Sequence, residues 1–314
     1  MKLARKLIRL LGPLLFVLIL SRIDVRDVLE TIASARADFL LGALLLYPGL
    51  IMLKTWRWLI LLRQQQTEYG LVPAFVVYNS GLGLGYVTPG RLGEFVKALY
   101  LRQDKGVPLG QGFSSVVMDR LFDLYLLVII ACAGMLTISL PEQLSLVPKV
   151  ILFLIALAPL VALVPAATRR VAVLLTGALT WLGTQQYQRD IERTLDSFQR
   201  GMESLLNLRL LLPLLVTVAA YGVFYLQCYL IAGALRLPLS YFYTAFSVSV
   251  ASLVALLPIS ISGLGVRDAT FLALLLPLGI TAESAVSYSL LILLVFNVFG
   301  GVMGAIAWFS KPLR

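Results

Sequence analysis

The sequence contains no histidine and only two cysteines, and charged residues make up 13% of its 314 positions. Without histidine, Ser-His-Asp hydrolases, haem sites and most zinc sites are excluded. Cys132 and Cys228 lie in apolar runs, and two isolated cysteines define neither a disulfide framework nor a metal site. We therefore expect no metal and no cofactor. A soluble protein carries about a quarter of its residues as charges, so an ordinary soluble domain is excluded as well.

Hydrophobic residues make up 60% of the chain, and the mean hydropathy is +0.92. This composition predicts an all-α polytopic membrane protein, located in the cell inner (plasma) membrane. The formal net charge is +10. Cationic residues collect in the cytoplasmic loops of such proteins, so the excess requires no nucleic-acid partner, and we expect none.

Six apolar runs predict full transmembrane helices, at about 10–21, 39–62, 112–138, 148–166, 208–233 and 284–309. Two further regions are interrupted by Gly and Pro, which is typical of re-entrant helices. We call 71–102 the first hairpin region and 241–280 the second hairpin region. If the first enters from the cytoplasm and the second from outside, Lys and Arg concentrate on the cytoplasmic side, together with both termini.

The domain organisation follows from these runs. We expect one transmembrane domain, 1–314, with a first half of about 1–138 and a second half of about 139–314. Each half holds one hairpin region, and their opposite directions of entry predict an inverted repeat. Between the hairpin regions, about 184–207 carries apolar residues at helical spacing and predicts an amphipathic cytoplasmic helix.

Charged residues interrupt both hairpin regions: Arg91 and Glu94 the first, Arg267 and Asp268 the second. A charge at the centre of a membrane helix costs about 2.5–3.5 kcal/mol on insertion scales, so these groups need partners or water. One alternative is structural, with Arg91 paired to Glu94 and Arg267 paired to a carboxylate elsewhere. The other is that the arginines bind an anionic lipid headgroup, helped by helix N-termini. Tyr86 is a candidate for lining the cavity.

Three more charged residues, Asp119, Arg120 and Asp123, lie early in the predicted span 112–138. The two aspartates are at i,i+4 on one helix face, and Arg120 and Asp123 can pair at i,i+3. An internal ion pair and a substrate contact both remain open for these residues. Lys54 and Arg57 are expected to extend to the cytoplasmic interface.

Three segments carry a resemblance to a known family: TPGRLGEFVKALYLR at 88–102, SVVMDRLFDLYLL at 115–127 and LPISISGLGVRDA at 257–269. Together they resemble the flippase-like membrane family of lysylphosphatidylglycerol synthases, which includes the transmembrane part of the multiple peptide resistance factor and stand-alone relatives. The resemblance covers nearly the whole chain. It departs at Asp268, where glutamate is expected, which keeps the charge but shortens its reach. It implies translocation of lipid headgroups.

We therefore expect a lipid flippase that moves an anionic or zwitterionic headgroup through a midplane cavity. The lipid classes are phospholipids, aminoacyl-phospholipids and polyprenyl-phosphate-linked glycolipids. One alternative is an intramembrane transferase with Asp119 or Glu94 as base; another is an accessory subunit that docks a soluble enzyme. In the family, lysyl-lipid synthesis belongs to an extra soluble domain, so the expectation is that this chain is not an enzyme. Expected partners are a membrane lipid and, further, a soluble lipid-modifying enzyme or a second copy.

Overall fold

A computed structural model describes residues 16–19, 21–137, 188–206, 208–256 and 263–313. Every regular element in these ranges is helical, so the all-α prediction is confirmed for this part of the chain. The predicted span 148–166 and most of 10–21 lie outside the described residues.

Eleven α-helices occur in the described ranges. Their bounds are α1 Val25–Ala33, α2 Ala37–Gln64, α3 Leu71–Val87, α4 Val96–Lys105, α5 Leu109–Thr137, α6 Gln188–Leu205, α7 Leu211–Ala234, α8 Tyr241–Ala255, α9 Val266–Leu275, α10 Ala282–Ile292 and α11 Phe299–Ser310. Tighter 3-10 turns occupy Pro89–Phe95, Leu208–Leu210 and Leu276–Leu278. A π-helical stretch, Leu293–Val298, joins α10 to α11 without a break.

Three stretches are long and apolar enough to cross a membrane. They are α2 with 28 residues, α7 with 24, and the continuous stretch Ala282–Ser310 with 29. They coincide with three predicted spans: 39–62, 208–233 and 284–309. Helix α5, with 29 residues, is also long enough at about 1.5 Å per residue, although it carries several charges. The chain is thus a multi-pass helical membrane protein.

Each hairpin region contains two short helices separated by a break. In the first, α3 has 17 residues and α4 has 10. In the second, α8 has 15 and α9 has 10. At about 1.5 Å per residue, none of the four covers a hydrocarbon core of about 30 Å. The interruptions that Gly and Pro predicted are therefore real ends of helices.

Within the described ranges, the same order of helices occurs twice. A surface helix, a long helix, two short helices and a second long stretch form α1–α5, and the same order recurs in α6–α11. The turns after α2 and α7 are also alike: Gln66 and Arg236 have left-handed φ values of 57° and 55°. In each case the next helix begins five residues later, at Leu71 and Tyr241.

The packing of the helices against one another matches this repeated order. Helix α2 packs against α7, α3 against α11, α8 against α5, α6 against α5, and α1 against α10. The α3–α11 contact is backbone to backbone, because a Cβ atom on Gly304 would lie 2.5 Å from the Cα of Gly83. Small residues allow membrane helices to approach this closely.

The two ends of the bundle can be told apart by their contacts. At one end Gln65 Nε2 donates to the carbonyl of Gly201 in α6 at 3.2 Å, and Lys311 pairs with Asp104. We call this the α6 end. At the opposite α1 end, the Arg36 amide donates to the Ala234 carbonyl at 3.0 Å. Segments predicted to be cytoplasmic, α6 and the C-terminal residues among them, thus share one end.

Candidate functional site

Seven charged side chains converge in the half of the bundle nearer the α6 end. They come from α2, the Pro89–Phe95 turn, α4 and α5, and none has a side chain more than 22% exposed. We call them the charged cluster: Lys54, Arg57, Glu94, Lys97, Asp119, Arg120 and Asp123.

Asp119 is the centre of the charged cluster. Its carboxylate accepts from Arg57 Nε at 2.9 Å, from Lys97 Nζ at 3.0 Å and from the Tyr78 hydroxyl at 3.0 Å. Asp119, Arg57 and Lys97 all have 0% exposure. Because a buried charge is tolerated only when it is paired and hydrogen-bonded, this one carboxylate compensates two cations.

Asp123 lies one turn further along α5 and extends the network. It accepts from Arg57 Nη1 at 2.7 Å and from Lys54 Nζ at 2.9 Å. Arg120 Nη2 lies 3.2 Å from the same carboxylate, which is the predicted i,i+3 pair. The expectation that Lys54 and Arg57 extend to the interface is wrong, because both point inward to carboxylates of α5.

Glu94 connects the first hairpin region to the cluster. Its Oε2 lies 2.7 Å from Arg120 Nη2 and 3.7 Å from Lys97 Nζ. The residue is 1% exposed, and its Oε1 has no hydrogen-bond partner. The pair of Arg91 with Glu94, expected under the structural alternative, is not formed. Arg91 instead lies over the ring of Tyr86, 5.5 Å from its centroid.

The turn that carries Arg91 is fixed by its backbone. Gly90 and Arg91 both have left-handed φ values, 61° and 57°, and for a non-glycine residue this conformation costs about 1–3 kcal/mol. Thr88 Oγ1 accepts from the Gly93 amide at 2.7 Å and donates to the Leu84 carbonyl at 2.9 Å. Hydrogen bonds between the Thr88 hydroxyl and the backbone, rather than an ion pair of Arg91, therefore hold the turn against α3.

The second hairpin region places its charged residues at the start of α9. Arg267 is 7% exposed, and its Nε donates to Ser289 Oγ at 3.0 Å, while its Nη2 has no partner. Asp268 is fully buried and accepts from the Gly265 amide at 2.7 Å through Oδ2, while Oδ1 has no partner. Within the described ranges, no carboxylate forms an ion pair with Arg267.

Arg91 and Arg267 come from different halves of the sequence, and neither side chain is fully exposed: Arg267 is 7% exposed and Arg91 is partly buried. Tyr86, which lies under Arg91, is 8% exposed, and its hydroxyl is 3.5 Å from that of Tyr47. Arg267 and Tyr86 thus lie in the interior of the bundle, and Arg91 lies partly buried against Tyr86.

Positive charges outnumber negative charges in this interior. With every group ionised, the described residues contribute six cations and four carboxylates, an excess of two positive charges. The cations are Lys54, Arg57, Arg91, Lys97, Arg120 and Arg267, and the carboxylates are Glu94, Asp119, Asp123 and Asp268. In the described part of the chain, no group of three or more His, Cys, Asp and Glu could hold a metal ion.

Sequence reasoning did not single out Lys97, and it placed Lys54 and Arg57 outside the site. A signal for Lys97 was present, since it follows Glu94 at i,i+3, on the face that α4 turns toward α5. Arg57 had no comparable local signal, because its partners Asp119 and Asp123 are more than 60 residues away in sequence.

Comparison with known families agrees with the motifs. Residues 7–304 match the sequence model described as the lysylphosphatidylglycerol synthase TM region, which confirms the resemblance. No curated protein matches the chain. The matched family is known for lipid-modifying transferase activity, so the expectation that the chain is not an enzyme is corrected. The match indicates a membrane function that involves lipids.

Proposed function

The chain belongs to the lysylphosphatidylglycerol synthase transmembrane family, and from this premise we propose that it translocates a lipid with an anionic headgroup across the bilayer. The headgroup moves through the interior that holds the charged cluster, Arg91 and Arg267, while the hydrocarbon tail stays in the membrane. The protein lies in the inner membrane with α6 and both termini in the cytoplasm.

The observation that carries the proposal is the unbalanced positive charge inside the bundle. Arg267 is buried, has no ion-pair partner among the described residues, and leaves Nη2 without a hydrogen bond. An unpaired buried guanidinium is costly, and a phosphate group satisfies it by two parallel hydrogen bonds. An anionic headgroup therefore supplies the acceptor atoms that Arg267 Nη2 lacks among the described residues.

The repeated order of helices supports an inverted repeat around this interior. Arg57 lies seven residues before the end of α2, at the α6 end, and Ser289, which holds Arg267, lies seven residues into α10, at the α1 end. At 1.5 Å per residue, the two cationic sites are each about 10 Å from opposite ends of the bundle. Two opposed sets of broken helices around a substrate site are typical of transporters.

A route for the headgroup follows from these two depths. Arg120 is the most exposed cation of the charged cluster, with 22% of its side chain exposed. It also contacts the first hairpin region through Glu94. In the proposed route, an anion arriving from the α6 end meets Arg120 first. It then passes to Arg91 and Arg267, which belong to the two breaks, and leaves toward the α1 end.

The test is a translocation assay in proteoliposomes that contain phosphatidylglycerol with a fluorescent nitrobenzoxadiazole group on its tail. Dithionite bleaches only the outer leaflet, so the rate at which protected probe becomes bleached measures translocation. We expect Arg267→Ala to lower this rate at least about tenfold, since a hydrogen bond to a charged group contributes about 1.5–3 kcal/mol. Arg36→Ala is the matched control, because Arg36 is 49% exposed and pairs with Asp38, which is 63% exposed.

Wild-type rates in Arg267→Ala would contradict the proposal. Mass spectrometry of the recovered lipids distinguishes the transferase alternative. A covalent lipid product that forms with the wild-type protein and disappears in Arg267→Ala would replace translocation by group transfer as the role of this site.

A further inference from the structure

A cavity of about 450 Å³ lies beside the charged cluster, between α5, α7 and α8. Its volume is within the range of about 300–1,000 Å³ that is usual for small-molecule sites. The lining is mainly aliphatic and aromatic and includes Leu126, Ile130, Gly134, Tyr221, Tyr225 and Phe246. The cavity lies in the half of the bundle nearer the α1 end, whereas the adjoining charged cluster lies in the half nearer the α6 end.

Three tyrosine hydroxyls of the wall are bound to protein partners. The Tyr225 hydroxyl is 2.6 Å from Ser249 Oγ, and the Tyr241 hydroxyl donates to the Gly222 carbonyl at 3.1 Å. Tyr243 donates to a carbonyl of α9 at 2.6 Å. These rings therefore present carbon atoms to the cavity, and a hydrocarbon suits this lining better than a polar solute does.

One wall of the cavity reaches the outer surface of the bundle. Phe242, at the start of α8, contributes to the lining and is 82% exposed. Inside, Gly222 faces unoccupied space, because a Cβ atom built on it would meet nothing within 4 Å. A chain from the bilayer thus has an entry past Phe242 and room beside Gly222.

The inner end of the cavity adjoins the charged cluster. Leu126 lies three residues, about one turn, after Asp123 in α5. Tyr221 carries Lys54 Nζ over its ring at 4.7 Å from the centroid, and Lys54 is paired with Asp123. The cluster contains four cations and three carboxylates, so with all groups ionised it keeps one positive charge for a guest anion.

We propose that this cavity binds one hydrocarbon chain of a lipid whose anionic headgroup is held by the charged cluster. The proposal rests on the proposed function and adds an orientation to it. The headgroup points to the α6 end and the tail to the α1 end, which is the orientation of a lipid in the leaflet on the α6 side. The substrate is therefore loaded from that leaflet.

The test uses phosphatidylglycerol with a photoactivatable diazirine in the middle of one acyl chain, reconstituted with the full chain. After illumination, adducts are mapped by peptide mass spectrometry. We expect labels on Tyr225 and Phe246, which are only 4% and 1% exposed, in addition to the outward Phe242. Labels confined to Phe242 and other outward residues would overturn the proposal.

A cavity-filling variant makes the test specific. Gly222→Leu adds a side chain whose Cβ meets no protein atom within 4 Å. We expect it to reduce the labels on Tyr225 and Phe246 at least tenfold. Gly49→Leu is the matched control, because Gly49 is also helical, also has nothing within 4 Å of a built Cβ, and does not line the cavity. Unchanged labelling in Gly222→Leu would contradict the assignment.

Diacylglycerol with the same diazirine chain tests the link to the headgroup. It lacks the anion, so we expect at least fivefold weaker labelling of Tyr225, and equal labelling would overturn the coupling of cavity and cluster. Labelling requires no translocation. Failure of the wild-type protein to translocate lipid would therefore contradict the proposed function alone, while missing labels would contradict the tail site alone.

Discussion

Neutralising Asp119 is the most direct test of the charged cluster. Asp119→Asn keeps the shape of the side chain but removes the charge that compensates Arg57 and Lys97, both fully buried. The amide can still accept one hydrogen bond from Tyr78, so the loss is mainly electrostatic. The two cations then depend on Asp123 and Glu94, of which Glu94 lies 3.7 Å from Lys97.

The expected size follows from the burial of these groups. Removing one partner of a buried pair costs about 3–5 kcal/mol, because the other charge stays buried without compensation. At about 2–4 °C per kcal/mol, the melting temperature of the purified protein in detergent should fall by about 6–20 °C. An exposed pair contributes less than about 1 kcal/mol, so Asp38→Asn, which breaks the exposed pair with Arg36, should change it by only a few degrees.

Tryptophan fluorescence during heating measures the effect, and Trp58 is a suitable reporter, since Lys97 Nζ lies 5.5 Å from its ring centroid. A double variant, Asp119→Asn with Lys97→Met, should recover part of the loss, because one uncompensated cation is removed together with the carboxylate. A melting temperature for Asp119→Asn within one or two degrees of that of Asp38→Asn would refute the assignment of Asp119 as the ion that holds the cluster together.

Two further variants test the packing and the α6 end. Gly304→Val should destabilise the fold by at least about 1–3 kcal/mol, since its Cβ would overlap Gly83. Gly301→Val, with open space around Gly301, should melt at the same temperature as the wild type. Equal melting temperatures of the two variants would contradict the close α3–α11 contact. Burial, and after it the hydrogen bond to Asp104, raises the pKa of Tyr69. Asp104→Asn should therefore lower the pKa of Tyr69, which fluorine NMR of fluorotyrosine-labelled protein can follow. An unchanged Tyr69 titration would contradict the contact between Tyr69 and Asp104.

The long helices and the broken ones could be predicted from the sequence because both signals are local. Run length predicts α2 and α7, and the glycines and Pro89 predict the end of α3 and the turn after it. The i,i+3 pair of Arg120 with Asp123 was predictable for the same reason, since helix geometry alone brings these residues together.

The composition of the charged cluster was not predictable in the same way. Arg57 lies near the end of a predicted span, where a long cationic side chain usually reaches the interface. Its actual direction is decided by Asp119 and Asp123, which reach it only after α2 and α5 pack together. Glu94 likewise had two candidate partners, Arg91 and Arg120. The left-handed backbone at Arg91 directs the Arg91 side chain over Tyr86, so Glu94 pairs with Arg120 instead.

Lys97 and Arg267 show how the two halves differ although the order of their helices is the same. Each is the second residue of the short helix that follows a break, Lys97 in α4 and Arg267 in α9. Lys97 forms an ion pair with Asp119, whereas Arg267 donates to the hydroxyl of Ser289 and forms no ion pair within the described residues. Nη2 of Arg267 is buried and has no hydrogen-bond partner within the described residues. In the proposed route, a headgroup loaded at the cluster moves on to Arg267, because its phosphate oxygens can accept from this donor.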